Sequence, residues 1–553
     1  MAVLDAHKVE PNRVLKADIC IVGGGAAGIA IAREFIGTQY TVLLLESGGF
    51  SCDPKTESLY GVESVGHPLR VDQGYVPRNR YFGGSTNTWA GRCIPLNDID
   101  FEQRDWISDS GWPFSKADLD PFYAKAAEVL KLPHYSYYQA EAWRNTMLQG
   151  SAGFLYGDAV TAPEVALYAK SPVKMGSAYG EEIKTAPNIT LCINANVTEV
   201  EANQAVASVN QLHVTTLGGN AFGVNSRIYI LACGGWENAR LLLLSRRHCA
   251  AGLGNQNDLV GRYYMEHPKI FSGHIYPHQK VLKSPIFLDP YRVEGGFAQL
   301  GLRLTDAIQR QQQVLNHYLE LRPDYPEGMP EGYQAFRWLG SHLKRLRLPE
   351  SAGDDFRKFW PQTGNILNFY GRKWLNQPIN YKRITILNHF EQSPNPASRV
   401  TLSRNRDALG LNRLQVDLRI SATDKQSLVN IHEIMAKHLH RLGIGELVSN
   451  FPAADSPWAD LHDSSHHMGT TRMSNNPKRG VVDGNCQVHG LNNLYIASSS
   501  VFPTVGHANP TLTIAALALR LADRLKTVVL PAMNRQPQLQ REIEAPPLGA
   551  SAR

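Results

Sequence analysis

The sequence predicts a two-domain α/β protein that opens on a Rossmann-like dinucleotide-binding unit. Three observations lead there. At 553 residues the chain exceeds what one compact core holds. From Asp18 to Glu46 it carries strand, glycine turn, helix, second strand and terminal acid in the order a βαβ cradle requires. Residues 270 to about 463 then turn to irregular, aromatic-rich sequence that reads as a separate substrate domain.

In the cradle, Ile19, Ile21 and Val22 form a short apolar run suited to a buried parallel strand, and Gly23, Gly25 and Gly28 follow with GxGxxG spacing. The first glycine allows the tight turn, the second lets a pyrophosphate approach the backbone, and the third lets the helix lie close to the sheet. That helix, roughly Ala26 to Phe35, aims its unpaired N–H groups and positive dipole end at the phosphates. The second strand, Thr41 to Leu45, ends in Glu46, whose carboxylate suits the ribose hydroxyls. These residues alone do not distinguish FAD from NAD.

Net charge is +6 with a pI near 8.8, but no long basic run is interleaved with aromatics, which argues against nucleic-acid binding. The seven cysteines are odd in number, scattered and never spaced as CxxC. That argues against a disulfide framework or structural zinc and for a reducing, cytoplasmic setting. The first twelve residues hold no apolar signal-like core, and no run of about eighteen apolar residues appears, so neither export nor membrane spanning is expected. Residues 1–13 and 535–553 read as flexible termini.

Between these ends, Arg80 to Pro95 (RYFGGSTNTWAGRCIP) is a glycine loop whose backbone can approach something flat or bulky. A helical pattern runs from Pro121 to Leu132, and signals are mixed from Pro133 to Pro187. Apolar strands follow at Ile189–Ile193, Val197–Val200 and Ile228–Cys233, the last running into Gly234, Gly235 and a helix over Glu237–Ser245. Further strands fall at Arg383–Phe390 and Arg399–Leu402, and an amphipathic helix spans Thr423–Leu442. Phe336–Arg347 and Phe356–Trp374 are aromatic and basic together; a lid or inserted helix with a solvated basic face is favoured over a membrane-surface or partner-docking helix.

Near the C-terminus, His466, His467, His489 and His507 crowd into a short span, yet no HExxH, CxxC or helically spaced carboxylate accompanies them, so no metal is expected. A histidine beside a glycine turn is a natural general base. Asn509 suits a helix N-cap and Pro510 the first helical position, ahead of an apolar, buried last helix.

These residues carry a likeness. From Ala17 to Leu525 the chain resembles the glucose-methanol-choline family of FAD-dependent oxidoreductases. The resemblance rests on five ordered blocks: the cradle to Glu46; GGSTNTWAG; ACGGWENARLLLLS at 232–245; VGRYYMEHP at 260–268; and HxxGT, VFPT and NPTLT in the C-terminal part. In flavour it is similar to the sugar-oxidising branch, with its pyranose oxidases and sugar acid dehydrogenase flavin subunits. It implies a discontinuous FAD-binding domain over 14–135, 189–269 and 464–530, and an antiparallel-sheet substrate domain with helices over 136–188 and 270–463.

Matched residue by residue, the resemblance implies that His466 is the catalytic histidine, because Gly469 and Thr470 follow at the HxxGT offsets, and that Asn509, 43 positions on, is its partner. Implied cofactor contacts begin at Gly23, Gly25, Ala26, Ala27, Gly28, Glu46 and Ser47. They continue through Arg80, Gly83, Gly84, Ser85, Asn87 and Thr88, then Val197 at the adenine. They end at Ala232, Gly234, Ser499, Ser500, Pro510 and Thr511. Two departures stand out. Ser498 occupies a position where family members usually carry an acid, which leaves contact there to backbone N–H groups. Thr88 replaces the histidine of covalently flavinylated relatives, which implies dissociable FAD. The implied reaction is oxidation of CH–OH to C=O on a small-molecule sugar, glycoside or other polyol. The alternatives are a non-redox lyase or decarboxylase of the same fold, and a flavoprotein scaffold that docks to a partner. No residue pattern singles out oxygen, a quinone or a redox protein as electron acceptor.

Overall fold

The computed structural model describes residues 3–73, 78–143, 159–278, 290–323, 330–343, 352–375 and 383–535. Two large sheets carry the architecture. The first has eight strands in the order Val3–Asp5, Ile189–Ile193, Val42–Leu45, Val14–Val22, Ala221–Leu231, Val209–Thr215 and Asn196–Ala202, with Leu494–Ile496 also paired to Ala221–Leu231. Pairing is parallel except in the meander from Asn196 to Leu231. A parallel sheet is covered on both faces, and the strands accordingly read as continuous apolar runs: all four residues of Val42–Leu45 are buried. On this sheet the last helix, Pro510–Arg524, packs against both Ala26–Glu34 and Asp120–Val129.

The second sheet is antiparallel and also has eight strands, running Gly445–Ser449, Lys269–Pro277, Ile384–Phe390, His317–Pro323, Gly296–Leu304, Thr161–Ala169 and Arg92–Cys93, with Tyr291–Val293 beside Gly296–Leu304. The helix Ala422–Arg441 begins in a capping box between Ser421 and Asp424. It buries Leu428, Ile431, Met435 and Leu439, spaced to share one stripe, in a core with Ile275, Leu300, Leu319 and Ile386. A small third sheet pairs Asn412–Leu418 with Arg399–Arg406 on one side and, in parallel, with Val62–Gly66 on the other. Strands 62–66 and 92–93, expected within the first domain, thus hydrogen-bond to strands from the 136–188 and 270–463 stretches.

Residues 1–13, expected to be a loose lead-in, are instead built in from residue 3. Val3–Asp5 pairs in parallel with Leu191–Ile193, and Ala6 and Val9 are buried. The unpaired edge of Ile189–Ile193 supplies the ladder that three residues could not advertise by periodicity. The expected flexible tail lies, from residue 536, outside the described residues, as does 344–351 of the basic aromatic segment; around that gap are the helices Pro330–Leu343, Ala352–Phe359 and Thr363–Trp374. Among the described residues no helix is long and apolar enough to cross a membrane.

Candidate active site and cofactor cavity

The glycine turn folds as its spacing requires, and each glycine does something different. Gly23 has φ 108°, and a Cβ there would sit 2.6 Å from the Ala232 carbonyl oxygen. A Cβ on Gly28 would overlap the Gly23 carbonyl oxygen, so this glycine serves helix-to-turn packing. Gly25 differs: its nearest neighbour to an added Cβ is the Gly84 Cα at 4.0 Å, so this face of the backbone looks into open space at the helix N-terminus. Such a cradle, where a side chain would fit the protein but fill the approach, is what a pyrophosphate needs.

Glu46 ends its strand with both carboxylate oxygens engaged, accepting from Gly24 N at 2.8 Å and Gly48 N at 3.1 Å. Burial pushes its pKa up, while those N–H groups and Arg80 oppose the rise. The two backbone bonds fix the carboxylate's direction and leave a lone pair on each oxygen for a ligand hydroxyl.

A cavity of about 560 Å³ joins this cradle to the C-terminal histidines. All the residues expected at cofactor or substrate line it except Gly28, Gly83, Asn87 and Ser500. Gly83, at φ 102°, donates its N–H to the Gly24 carbonyl at 2.8 Å and so ties the loop to the cradle. Asn87 turns inward and donates to the Phe82 carbonyl at 3.1 Å. Ser500 is fully buried; its hydroxyl accepts from Thr471 at 2.7 Å and Asn238 at 3.2 Å, pinning one turn to another. Ser498 does line the cavity, with its hydroxyl accepting from Ser500 N at 2.8 Å. The Thr88 hydroxyl accepts from Asn79 at 2.5 Å.

The four C-terminal histidines divide. His489 bonds the Ser474 carbonyl at 2.8 Å and His507 bonds Asn97 at 3.2 Å, both away from the cavity wall. His466 and His467 are in it. The turn before them uses Ser465 at φ 59°, held by Asp463 accepting from its N–H at 2.8 Å. His467 stacks on Trp236 with ring centroids 3.6 Å apart. The backbone N–H of His466 donates to Glu266 at 2.7 Å, and its Nε2 faces Asn509 Nδ2 at 3.3 Å. Asn509 does occupy the N-cap of the last helix, but its side chain makes no capping bond and turns to His466 instead. Although its side chain opens onto the cavity, burial, with His267, His389, Lys269 and His467 close by, lowers the pKa of His466 well below the usual imidazole value. A neutral imidazole is the form that can take a proton.

Sequence reasoning missed an ionic group in the wall: Glu237 pairs with Arg78 at 3.1 Å, Arg80 at 3.4 Å and Arg240 at 3.3 Å, and Arg240 reaches Asp407 at 2.5 Å. The Arg78 Nε is buried and finds no acceptor among the described residues. That buried donor suits an acceptor atom on a ligand. The block containing Glu237 was visible in the sequence, but its partners lie 157 and 159 positions away in one direction.

Comparisons with known proteins agree with this geometry. Residues 394–518 match the family described as GMC oxidoreductase. Over 93% of its length the chain is 26% identical to 6'''-hydroxyparomomycin C oxidase of Streptomyces lividus, covering 93% of that protein. It is 22% identical to the fructose dehydrogenase large subunit of Gluconobacter japonicus, over 93% of this chain and 98% of that one. Among solved structures, pyridoxine 4-oxidase from Mesorbium loti superposes with a TM-score of 0.51 at 18% identity, over 92% of this chain and 98% of that chain. The open cradle at Gly25, the fixed Glu46 carboxylate and the spare Arg78 donor fit the diphosphate and ribose of FAD. Residues 394–518 thus match the GMC oxidoreductase family, and over nearly its whole length the chain is similar to proteins named as oxidases and dehydrogenases.

Proposed function

We propose that the protein oxidises a CH–OH group of a sugar, glycoside or other polyol to C=O, with His466 as base, Asn509 as its partner, and FAD held without a covalent bond. The observation that carries this reading is the meeting of His466 Nε2 and Asn509 Nδ2, 3.3 Å apart, in the wall of the cavity that also contains the cradle. Bound FAD supplies the two-electron acceptor for the carbon-bound hydrogen, which leaves as hydride. His466 takes the hydroxyl proton at Nε2, and the Asn509 amide donates to the same oxygen, orienting the alcohol and stabilising developing alkoxide charge. The names of the aminoglycoside oxidase and fructose dehydrogenase relatives support a sugar-like donor. Thr88 supports non-covalent FAD, and seven free thiols support a reducing, cytoplasmic setting.

The test is anaerobic flavin reduction across a panel of sugars, glycosides and polyols, with native protein and His466→Ala. The substitution should slow reduction by roughly 10²–10⁴-fold while FAD stays bound. Reduction at the native rate by the variant would remove His466 from the role of base.

A further inference from the structure

We propose that His267 is a positioning residue that holds His466 in the tautomer with its proton on Nδ1, leaving the Nε2 lone pair to receive the substrate's proton. This rests on the reading of His466 as the base.

The assignment can be made from either end of a chain of hydrogen bonds. His267 is fully buried, and its Nε2 lies 3.1 Å from the Val505 carbonyl oxygen. A carbonyl can only accept, so Nε2 must carry the hydrogen. Burial lowers the pKa of His267 to about 3, so its ring is neutral and has one N–H. Its Nδ1 is therefore a bare lone pair. That lone pair faces His466 Nδ1 at 3.1 Å, and two lone pairs repel, so the hydrogen between the rings belongs to His466. A neutral His466 with its proton on Nδ1 has a bare Nε2. From the other end, the group 3.3 Å from that Nε2 is the Asn509 amide nitrogen, which can only donate. Both ends give the same tautomer.

The backbone contributes to the same result. His267 follows Met265, which exchanges backbone hydrogen bonds with Met468, and Glu266 accepts the His466 N–H at 2.7 Å. The two histidines thus ride on two paired segments, and rotation of the His466 ring would cost it the bond to His267. When Nε2 takes a proton, the Nδ1–H bond to His267 persists and strengthens, because its donor is then charged. His267 thus acts as the orienting third group behind a base, with a neutral acceptor in place of a carboxylate.

The test reads the tautomer directly. Histidine-selective ¹⁵N NMR of the FAD-bound protein, with the His466 signals assigned by their loss in His466→Ala, should show Nδ1 protonated and Nε2 bare. In His267→Met that preference should be lost, and the limiting rate of flavin reduction should fall roughly 10–100-fold with little change in substrate affinity. His267→Gln, whose amide again offers one donor and one acceptor, should restore both the tautomer and most of the rate. A native His466 protonated on Nε2, or a His267→Met protein with native tautomer and native rate, would overturn the proposal. Unimpaired flavin reduction in His466→Ala would sink the base assignment instead, and leaves the NMR readout of the tautomer intact.

Discussion

Gly25 and Gly28 sit three residues apart in one turn, and the structure gives them opposite sensitivities to a single added carbon. At Gly25 the backbone has φ −87° and ψ −164°, ordinary for any residue, and nothing lies within 4 Å of an added Cβ except the Gly84 Cα at 4.0 Å. Without cofactor, Gly25→Ala should gain about 0.4–1 kcal/mol from a less flexible unfolded chain. It should lose a similar amount because alanine is a poor N-cap, about 1 kcal/mol. The apoprotein should therefore unfold close to the native temperature. FAD at one hundred times its dissociation constant stabilises the native protein by about 2.7 kcal/mol. If the new methyl group costs tenfold in affinity, about 1.4 kcal/mol of that, roughly half, disappears. Gly28→Ala should behave the other way, losing about 1–3 kcal/mol with or without FAD, because the Cβ meets the Gly23 carbonyl and the backbone must shift. Thermal unfolding of both variants, as apoprotein and across an FAD titration, separates the two. A Gly25→Ala protein that keeps the full FAD-induced shift, or that is destabilised without FAD as Gly28→Ala is, would refute the assignment of Gly25 to the pyrophosphate.

Acid precipitation should release all the flavin into the supernatant, since Thr88 offers no imidazole for attachment; a yellow pellet would contradict this. Glu266 should make the protein less stable as pH rises. Burial, then the neighbouring Asp463, pushes its pKa to about 8, against 4.5 for the ordinary side chain, so between those values the folded protein binds the extra proton. Stability attributable to this group is highest below about pH 4.5 and falls by up to roughly 1.4 kcal/mol per pH unit until about pH 8. Glu266→Gln should remove that slope in pH-dependent denaturant unfolding; an unchanged slope would mean that the carboxyl ionises normally.

What the sequence made legible was whatever is local. The cradle is read from 29 consecutive residues, and Glu46 from its place at the end of the second strand. The strands Thr161–Ala169 and Gly296–Leu304 were not legible, since the first contains Pro163 and three alanines among its nine residues, while the second is broken by Gly301, whose missing side chain makes room for the Tyr318 ring. The ionic group around Glu237 was hidden because no periodicity links Arg78 to Glu237 or Arg240 to Asp407, 167 positions apart. The resemblance reached His466 and Asn509, but not His267, although the YYMEHP block containing it was in view. A histidine's partner is set by ring geometry, which spacing along a chain does not report.

The parallel pairing of Val62–Gly66 with Leu414–Leu418 has a consequence for how the protein is made. Chain synthesis delivers the cradle first, and its phosphate-facing backbone emerges with the opening βαβ unit. The strand at 62–66 must then wait for some 350 further residues before its partner exists, and closing so long a loop is slow. The cavity wall is finished later still, by Pro510 and Ile514 of the last helix. A ribosome-bound chain can therefore present the open cradle for most of its synthesis, yet the cavity wall is complete only once the final helix docks. A cavity with its full wall is available only in the last moments of translation or after release.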